Sequence, residues 1–277
     1  MPLILSPAQQ GALAYVAARS VGPPLAADLR VTLQFHPDRR VADRSILAAM
    51  ADDGRYRSQF ETGTSNGGLT AHPGGDRWGW ESRLFGGAYD GAPSAQRPVY
   101  GALNHRRRAV GGAQRFGSAH FRLTAEVNAR STFCYPDSVL KPVDFGVASR
   151  MPLIAIADAD SADLLDDGIE AHVHGPVRLP VDVEALVLDP CFRGTAVEAD
   201  AAALGCALEW HPGFRITTHE LTAHPTYRGQ RFVDLGLRLA VDGVLDAAMI
   251  GAAARSGDHD EQDLKRVWHL LARFGQR

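Results

Sequence analysis

Short runs rich in β-branched and aromatic residues, each bounded by turn formers, predict strands at Val31–Phe35, Val99–Leu103, Ala119–Leu123, Ser131–Tyr135 and Val183–Leu188. A sixth run, Ile-Glu-Ala-His-Val-His over 169–174, alternates strictly. Its period of two sends Ile169, Ala171 and Val173 to one face and Glu170, His172 and His174 to the other. A carboxylate and two imidazoles on one strand face are not ordinary core filling, because charged side chains are seldom buried unless paired. That polar face meets solvent, a cleft or a metal.

Helical signals frame these strands. Ser6 as N-cap, Pro7 at the first helical position and Gln9 closing a capping box open a helix with Leu13, Val16 and Ala17 as its apolar stripe. Ile46, Leu47 and Met50 predict a short helix running up to Gly54. Over 56–91, nine glycines recur among Trp78, Trp80, Phe85 and Tyr89, which predicts closely packed turns and short strands rather than a linker. A helical turn is expected at 161–165. Helices are expected at 197–208, 231–240 and 260–274, the last with Leu264, Val267, Trp268, Leu271 and Phe274 as a core stripe before Gly275. The pattern predicts an α+β chain: a mixed β-sheet body over 1–190 and a helical C-terminal region over 191–277.

Composition narrows the class without naming a reaction. The chain has 277 residues, 45% apolar and 22% charged, as a globular protein does, and its formal net charge of -3 gives no global pull toward nucleic acid or acidic membrane. The basic cluster Arg106-Arg107-Arg108 reads as a solvated loop. Three cysteines without metal-type spacing point to a reducing compartment, and no leader or membrane-length apolar run is evident, so a cytoplasmic protein without a membrane partner is expected.

Several stretches occur in an order that resembles bacterial and phage toxin-like mono-ADP-ribosyltransferases. They are Val31-Thr-Leu-Gln-Phe-His36, Arg97-Pro-Val-Tyr100-Gly-Ala-Leu-Asn104, Arg115-Phe-Gly-Ser118, Arg130-Ser-Thr-Phe133 with Asp137-Ser138, and the Glu170 strand. The run from Tyr56 to Gly68, with Trp80-Glu81 and the segment 84–89, also resembles a bacterial family recorded only as a domain of unknown function. The transferase resemblance implies a split mixed sheet and NAD as substrate. It further implies an acceptor that is a protein, a nucleic acid or a small molecule, and an immunity or regulatory partner if the enzyme is a toxin.

Within that resemblance Glu170 is the catalytic carboxylate, and Ser131 and Thr132 brace the nicotinamide pocket. The polar residue of the early strand is His36 or Arg39, with Arg30 a third choice. Tyr100 takes part of the nicotinamide-stacking role. Ser58, Gln59, Glu61, Thr64, Ser65 and Asn66 belong to a loop whose N–H groups and hydroxyls suit a pyrophosphate. The chemistry fits these residue types, since positive charge develops on the ribose as its bond to nicotinamide breaks and a fixed carboxylate opposes it. Gly168 stands where arginine-modifying members carry a second Glu or Gln, which argues against an arginine acceptor.

Two other readings use the same residues. Glu170, His172 and His174 are a legitimate ligand set for a metal-dependent hydrolase, because catalytic zinc takes three protein ligands and a water. A non-catalytic nucleotide-binding module would keep the cleft without turnover.

Overall fold

A computed structural model describes residues 3–63 and 70–276. Its centre is one eight-stranded sheet built from β1 (Val31–Phe35), β2 (Val99–Leu103), β3 (Ala119–Leu123), β4 (Ser131–Tyr135), β5 (Asp144–Val147), β6 (Ile169–Val173), β7 (Val183–Leu188) and β8 (Ala207–Trp210), in the order β8-β7-β3-β1-β2-β6-β4-β5. Every neighbouring pair is antiparallel except β7 with β8, so the sheet is mixed and the chain is α+β.

One face of the sheet is apolar. Val31, Leu33, Phe35, Leu103, Phe121, Phe133, Ile169, Ala171 and Val173 point to it and form the largest core. They pack under α2 (Ile46–Asp53), α5 (Leu153–Ala159) and α6 (Ala196–Ala202) through Leu47, Leu153 and Ala201. Each large side chain buried here contributes about 1.5–3 kcal/mol. Gly54, at φ 61°, ends α2 in the left-handed region where a Cβ is penalised.

The opposite face is divided between two covers. Over β4, β5 and β6 lie α1 (Pro7–Arg19), α4 (Asp76–Leu84) and the turn after it, which bury Ala12, Val16, Leu84, Phe85 and Tyr89 against Cys134, Phe145 and Val147. The second cover is a separate core of α7 (Gln230–Leu239), α8 (Ala247–Ser256) and α9 (Glu261–Phe274). The Trp268 indole N–H of α9 donates to the Gln114 carbonyl at 3.0 Å, tying this core to the segment before β3.

Several expectations change. The glycine-rich 56–91 stretch contains α3 (Gln59–Thr62) and α4 rather than mainly short strands. The 161–165 segment is an irregular turn, and the helix lies earlier, at α5. The helix expected over 197–208 stops at Ala202, and its end becomes β8, paired parallel to β7. The sheet therefore continues past residue 190, where a boundary between body and C-terminal region was expected. No helix of the described residues is long and apolar enough to cross a membrane.

Candidate functional site

The polar face of β6 lies under the first cover. In the register, Glu170 stands between Ala102 of β2 and Cys134 of β4, and His172 between Tyr100 and Thr132. Period-two geometry thus gathers Thr132, Cys134, Glu170, His172 and Tyr100 on one face. His174 follows the strand, and its carbonyl accepts from Arg130 Nη1 at 2.6 Å. The His172 and His174 side chains are about 1% and 0% exposed, and Phe85 meets both rings edge-on at 5.2 and 5.4 Å.

Buried polar atoms must find partners, and here they form one continuous file. Tyr89 Oη lies 2.6 Å from His174 Nδ1, and His174 Nε2 lies 3.0 Å from Thr132 Oγ1. Thr132 Oγ1 lies 3.2 Å from His172 Nδ1, and His172 Nε2 lies 2.8 Å from Glu170 Oε1. Burial, with the charge of Arg130, holds His174 well below the ordinary histidine range, so its ring is neutral. With His174 neutral, one set of donor and acceptor roles satisfies every contact in a single direction. Tyr89 O–H donates to His174, His174 Nε2–H to Thr132, Thr132 O–H to His172, and His172 Nε2–H to the carboxylate. This proton placement is assigned from the hydrogen-bond network.

Glu170 ends the file and is 12% exposed, the least enclosed of its members. Burial pushes its pKa up, but the His172 hydrogen bond, the charge of Arg77 and the Ser138 hydroxyl at 3.1 Å outweigh it and leave the carboxyl below its ordinary value. It is ionised at neutral pH. The neighbouring Asp137 is pushed up to about 6 by burial and by Glu170 itself. Cys134 Sγ sits 3.7 Å from Glu170 Oε1, and burial together with the two carboxylates raises its pKa well above the usual thiol value.

A buried support stands behind the site. Arg97 Nη1 pairs with Glu81 Oε2 at 2.5 Å and its Nη2 donates to the Tyr89 carbonyl at 2.9 Å. Tyr100 Oη donates to Glu81 Oε1 at 3.1 Å, while the Arg77 guanidinium lies 4.5 Å over the Tyr100 ring. Burial pushes Glu81 up to about 7 against the pull of Arg97 and Tyr100.

Ser138, which holds Glu170, also lines a pocket of about 200 Å³ together with Trp80 and the cations Arg19, Arg83 and Lys141. Further cations approach from other elements. Asp137 feels the charges of Arg77 and Arg115, and Lys265 of α9 feels Arg115, Arg266, Arg39 and Asp137.

Of the residues expected from sequence, the structure brings together Glu170, Thr132, His172, His174 and Tyr100. Ser131 is a correction. It pairs with Val173 on the apolar side, and its hydroxyl donates to the Val127 carbonyl at 2.8 Å, because neighbouring strand residues face opposite ways. His36 is another. It lies past the end of β1, two strands from β6, with its ring edge-on to Trp268 at 4.9 Å, and burial pushes its pKa down to about 3. Arg39 is exposed.

The expected phosphate loop is a brace where it is described. Glu61 Oε2 accepts from the Ser58 N–H at 2.9 Å and Oε1 pairs with Arg55 at 2.6 Å. Ser58 Oγ donates to the Ser94 carbonyl, and Gln59 Oε1 is buried without a partner among the described residues. Thr64, Ser65 and Asn66 lie outside the described residues. Sequence reasoning missed Tyr89, Glu81, Arg97, Cys134 and Ser138 as site members. The strand period of two that sets Thr132 opposite His172 also sets Cys134 opposite Glu170, a signal present in the sequence.

The ligand atoms of Cys134, Glu170 and His172 all lie within 4.8 Å of one another, whereas His174 turns its ring to Thr132 and Tyr89. The metal set expected from the strand face thus exchanges His174 for Cys134.

A family model described as protein of unknown function (DUF3626) matches residues 30–158 and 147–274. The chain belongs to the DUF3626 family. Both the polar file and the carboxylate at its end fall within the part of the chain that defines this membership. No curated protein matches the chain.

Proposed function

We propose that this chain cleaves the nicotinamide–ribose bond of NAD and passes the ADP-ribosyl group to water or to an acceptor. The observation that carries the reading is Glu170: an ionised carboxylate, nearly enclosed, fixed by His172 and by Ser138, which itself lines a pocket with three cations and an indole. As the C–N bond breaks, its electron pair leaves with neutral nicotinamide and the ribose becomes oxocarbenium-like. A carboxylate that is already in place stabilises that charge more in the transition state than in the ground state. The ribose 2'-hydroxyl would replace the weak Cys134 contact at 3.7 Å on Oε1 or the long Ser138 N–H contact at 3.5 Å on Oε2.

The other groups have supporting parts in this reading. Thr132 positions Glu170 through His172. Trp80 offers a stacking face, and Arg77, Arg115 and Lys265 offer positive charge for the pyrophosphate. Arg39 takes the early-strand role in preference to His36, because it shares the field of Lys265 while His36 is packed under Trp268. Ser131 has no part. The acceptor, and any immunity or regulatory partner, follow from the transferase resemblance alone.

The test is nicotinamide release from NAD by the purified chain. Glu170→Gln keeps the shape and removes the charge, and should lower the rate about a hundredfold or more. No release by the unsubstituted chain, with water or cell extract as acceptor, overturns the proposal.

A further inference from the structure

We propose that Cys134, Glu170 and His172 form a zinc site whose occupation silences the carboxylate. Three distances carry it. Sγ lies 3.7 Å from Glu170 Oε1 and 4.0 Å from His172 Nε2, and that nitrogen lies 2.8 Å from the same oxygen. Zinc binds sulfur at about 2.3 Å and nitrogen or oxygen at about 2.0–2.1 Å, so a tetrahedral site has ligand–ligand edges of roughly 3.3–3.6 Å. The observed triangle departs from those edges by about half an ångström, with the His172–Glu170 edge short because a hydrogen bond spans the place of the ion. Small side-chain rotations open it.

The donor chemistry selects the ion. A thiolate, an imidazole and a carboxylate together suit zinc rather than magnesium or calcium, which take oxygen ligands. The surroundings fit as well. Thr132 Oγ1 at His172 Nδ1 fixes the ring so that Nε2 faces the ligand point, the outer-sphere contact that histidine ligands need. Asp137 adds a second carboxylate close enough to feel Glu170.

Protons balance, and the Tyr89 hydroxyl, which gives up His174 as its acceptor, is the one group that must turn its proton elsewhere. Zinc takes the Nε2 lone pair, so His172 carries its proton on Nδ1 and donates to Thr132. Thr132 then donates to His174 Nε2, and His174 Nδ1–H to Tyr89. The file reverses direction along its whole length. Glu170 is already ionised, so the proton lost to solvent is that of the Cys134 thiol, about one per zinc bound. A carboxylate bound to zinc no longer faces a developing ribose cation, and this inhibitory half rests on the glycosidic reading. Zinc binding does not.

The experiment uses the full chain freed of metal with a chelator, then titrated with zinc and separately with cobalt. Expected are one zinc per chain, release of about one proton in weakly buffered solution, and a thiolate-to-cobalt charge-transfer band. The band persists in a Cys191→Ser, Cys206→Ser double variant and is lost in Cys134→Ser. Thr132→Val weakens zinc affinity about tenfold or more. Absence of stoichiometric zinc, a band lost in the double variant, or zinc binding unchanged in Cys134→Ser overturns the site. Nicotinamide release is measured in parallel: zinc should abolish it and chelator restore it. Release that persists in the zinc-loaded chain overturns the inhibition, whereas no release in either state counts against the glycosidic reading and leaves the zinc result to stand on its own readout.

Discussion

Two histidine-rich regions lie on the divided face of the sheet, and they treat burial in opposite ways. Under α1 and α4, His172 and His174 are buried in a file whose every nitrogen has a partner and which ends on an ionised carboxylate. Near the C-terminal core, His120 Nδ1 and both nitrogens of His269 are buried without a partner among the described residues. The first region spends its polar groups on orientation, which a reaction can use. The second simply holds neutral rings out of water, and its cost appears as pH sensitivity.

The largest effect that sharpens this contrast is acid destabilisation. Burial pushes His36 and His120 down to about 3 and His269 to about 2, from an ordinary 6.5. Such rings contribute stability above pH 6.5 and lose it as pH falls toward 3, at about 1.4 kcal/mol per pH unit for each proton. Glu81 and Asp137, raised to about 7 and 6, act in the opposite sense and lose their contribution as pH rises through those values. Denaturant unfolding should therefore show a shallow decline from pH 6.5 to about 4.5 and a steep one below it. A flat profile from 6.5 to 3 breaks the second half of the comparison.

Next in size, Thr132→Val cuts the file in the middle and strands both histidines, costing about 1–3 kcal/mol. Equilibrium unfolding measures it, and a cost near zero contradicts a file that is fully paired. His269→Leu should do the reverse. Removing a buried ring that has no partner is neutral or stabilising by about 1 kcal/mol, and the acid slope should fall by one proton. A loss of several kcal/mol would mean the ring is partnered.

The sequence showed one of these regions far better than the other. Five strand runs coincide with β1, β2, β3, β4 and β7, because each is short, apolar and bounded by turn residues. Strict alternation revealed the Glu170 face. Its partners were hidden, since Thr132, Cys134, Tyr89 and Ser138 meet β6 only through pairing and cover contacts set by the whole fold. Reading Ser131 and Thr132 as a unit ignored the pleat that separates them. The alanine-rich 197–208 segment has helical propensity, yet pairing with β7 makes its end a strand. The burial of His36, His120 and His269 depended on where Trp268 and its helix dock, which no local pattern states.

The smallest effect expected is at Ser131. Ser131→Ala removes a hydrogen bond on the apolar side, costs about 1 kcal/mol of stability, and leaves nicotinamide release unchanged. A large loss of release with intact folding would return Ser131 to the site.

The central claim is that Glu170 acts on the transition state. Its most direct measurement is the split of Glu170→Gln between kcat and KM for nicotinamide release, with folding checked by circular dichroism. The account predicts kcat lower by about a hundredfold or more with KM nearly unchanged, as for an interaction made only in the transition state. An unchanged kcat with a raised KM contradicts it.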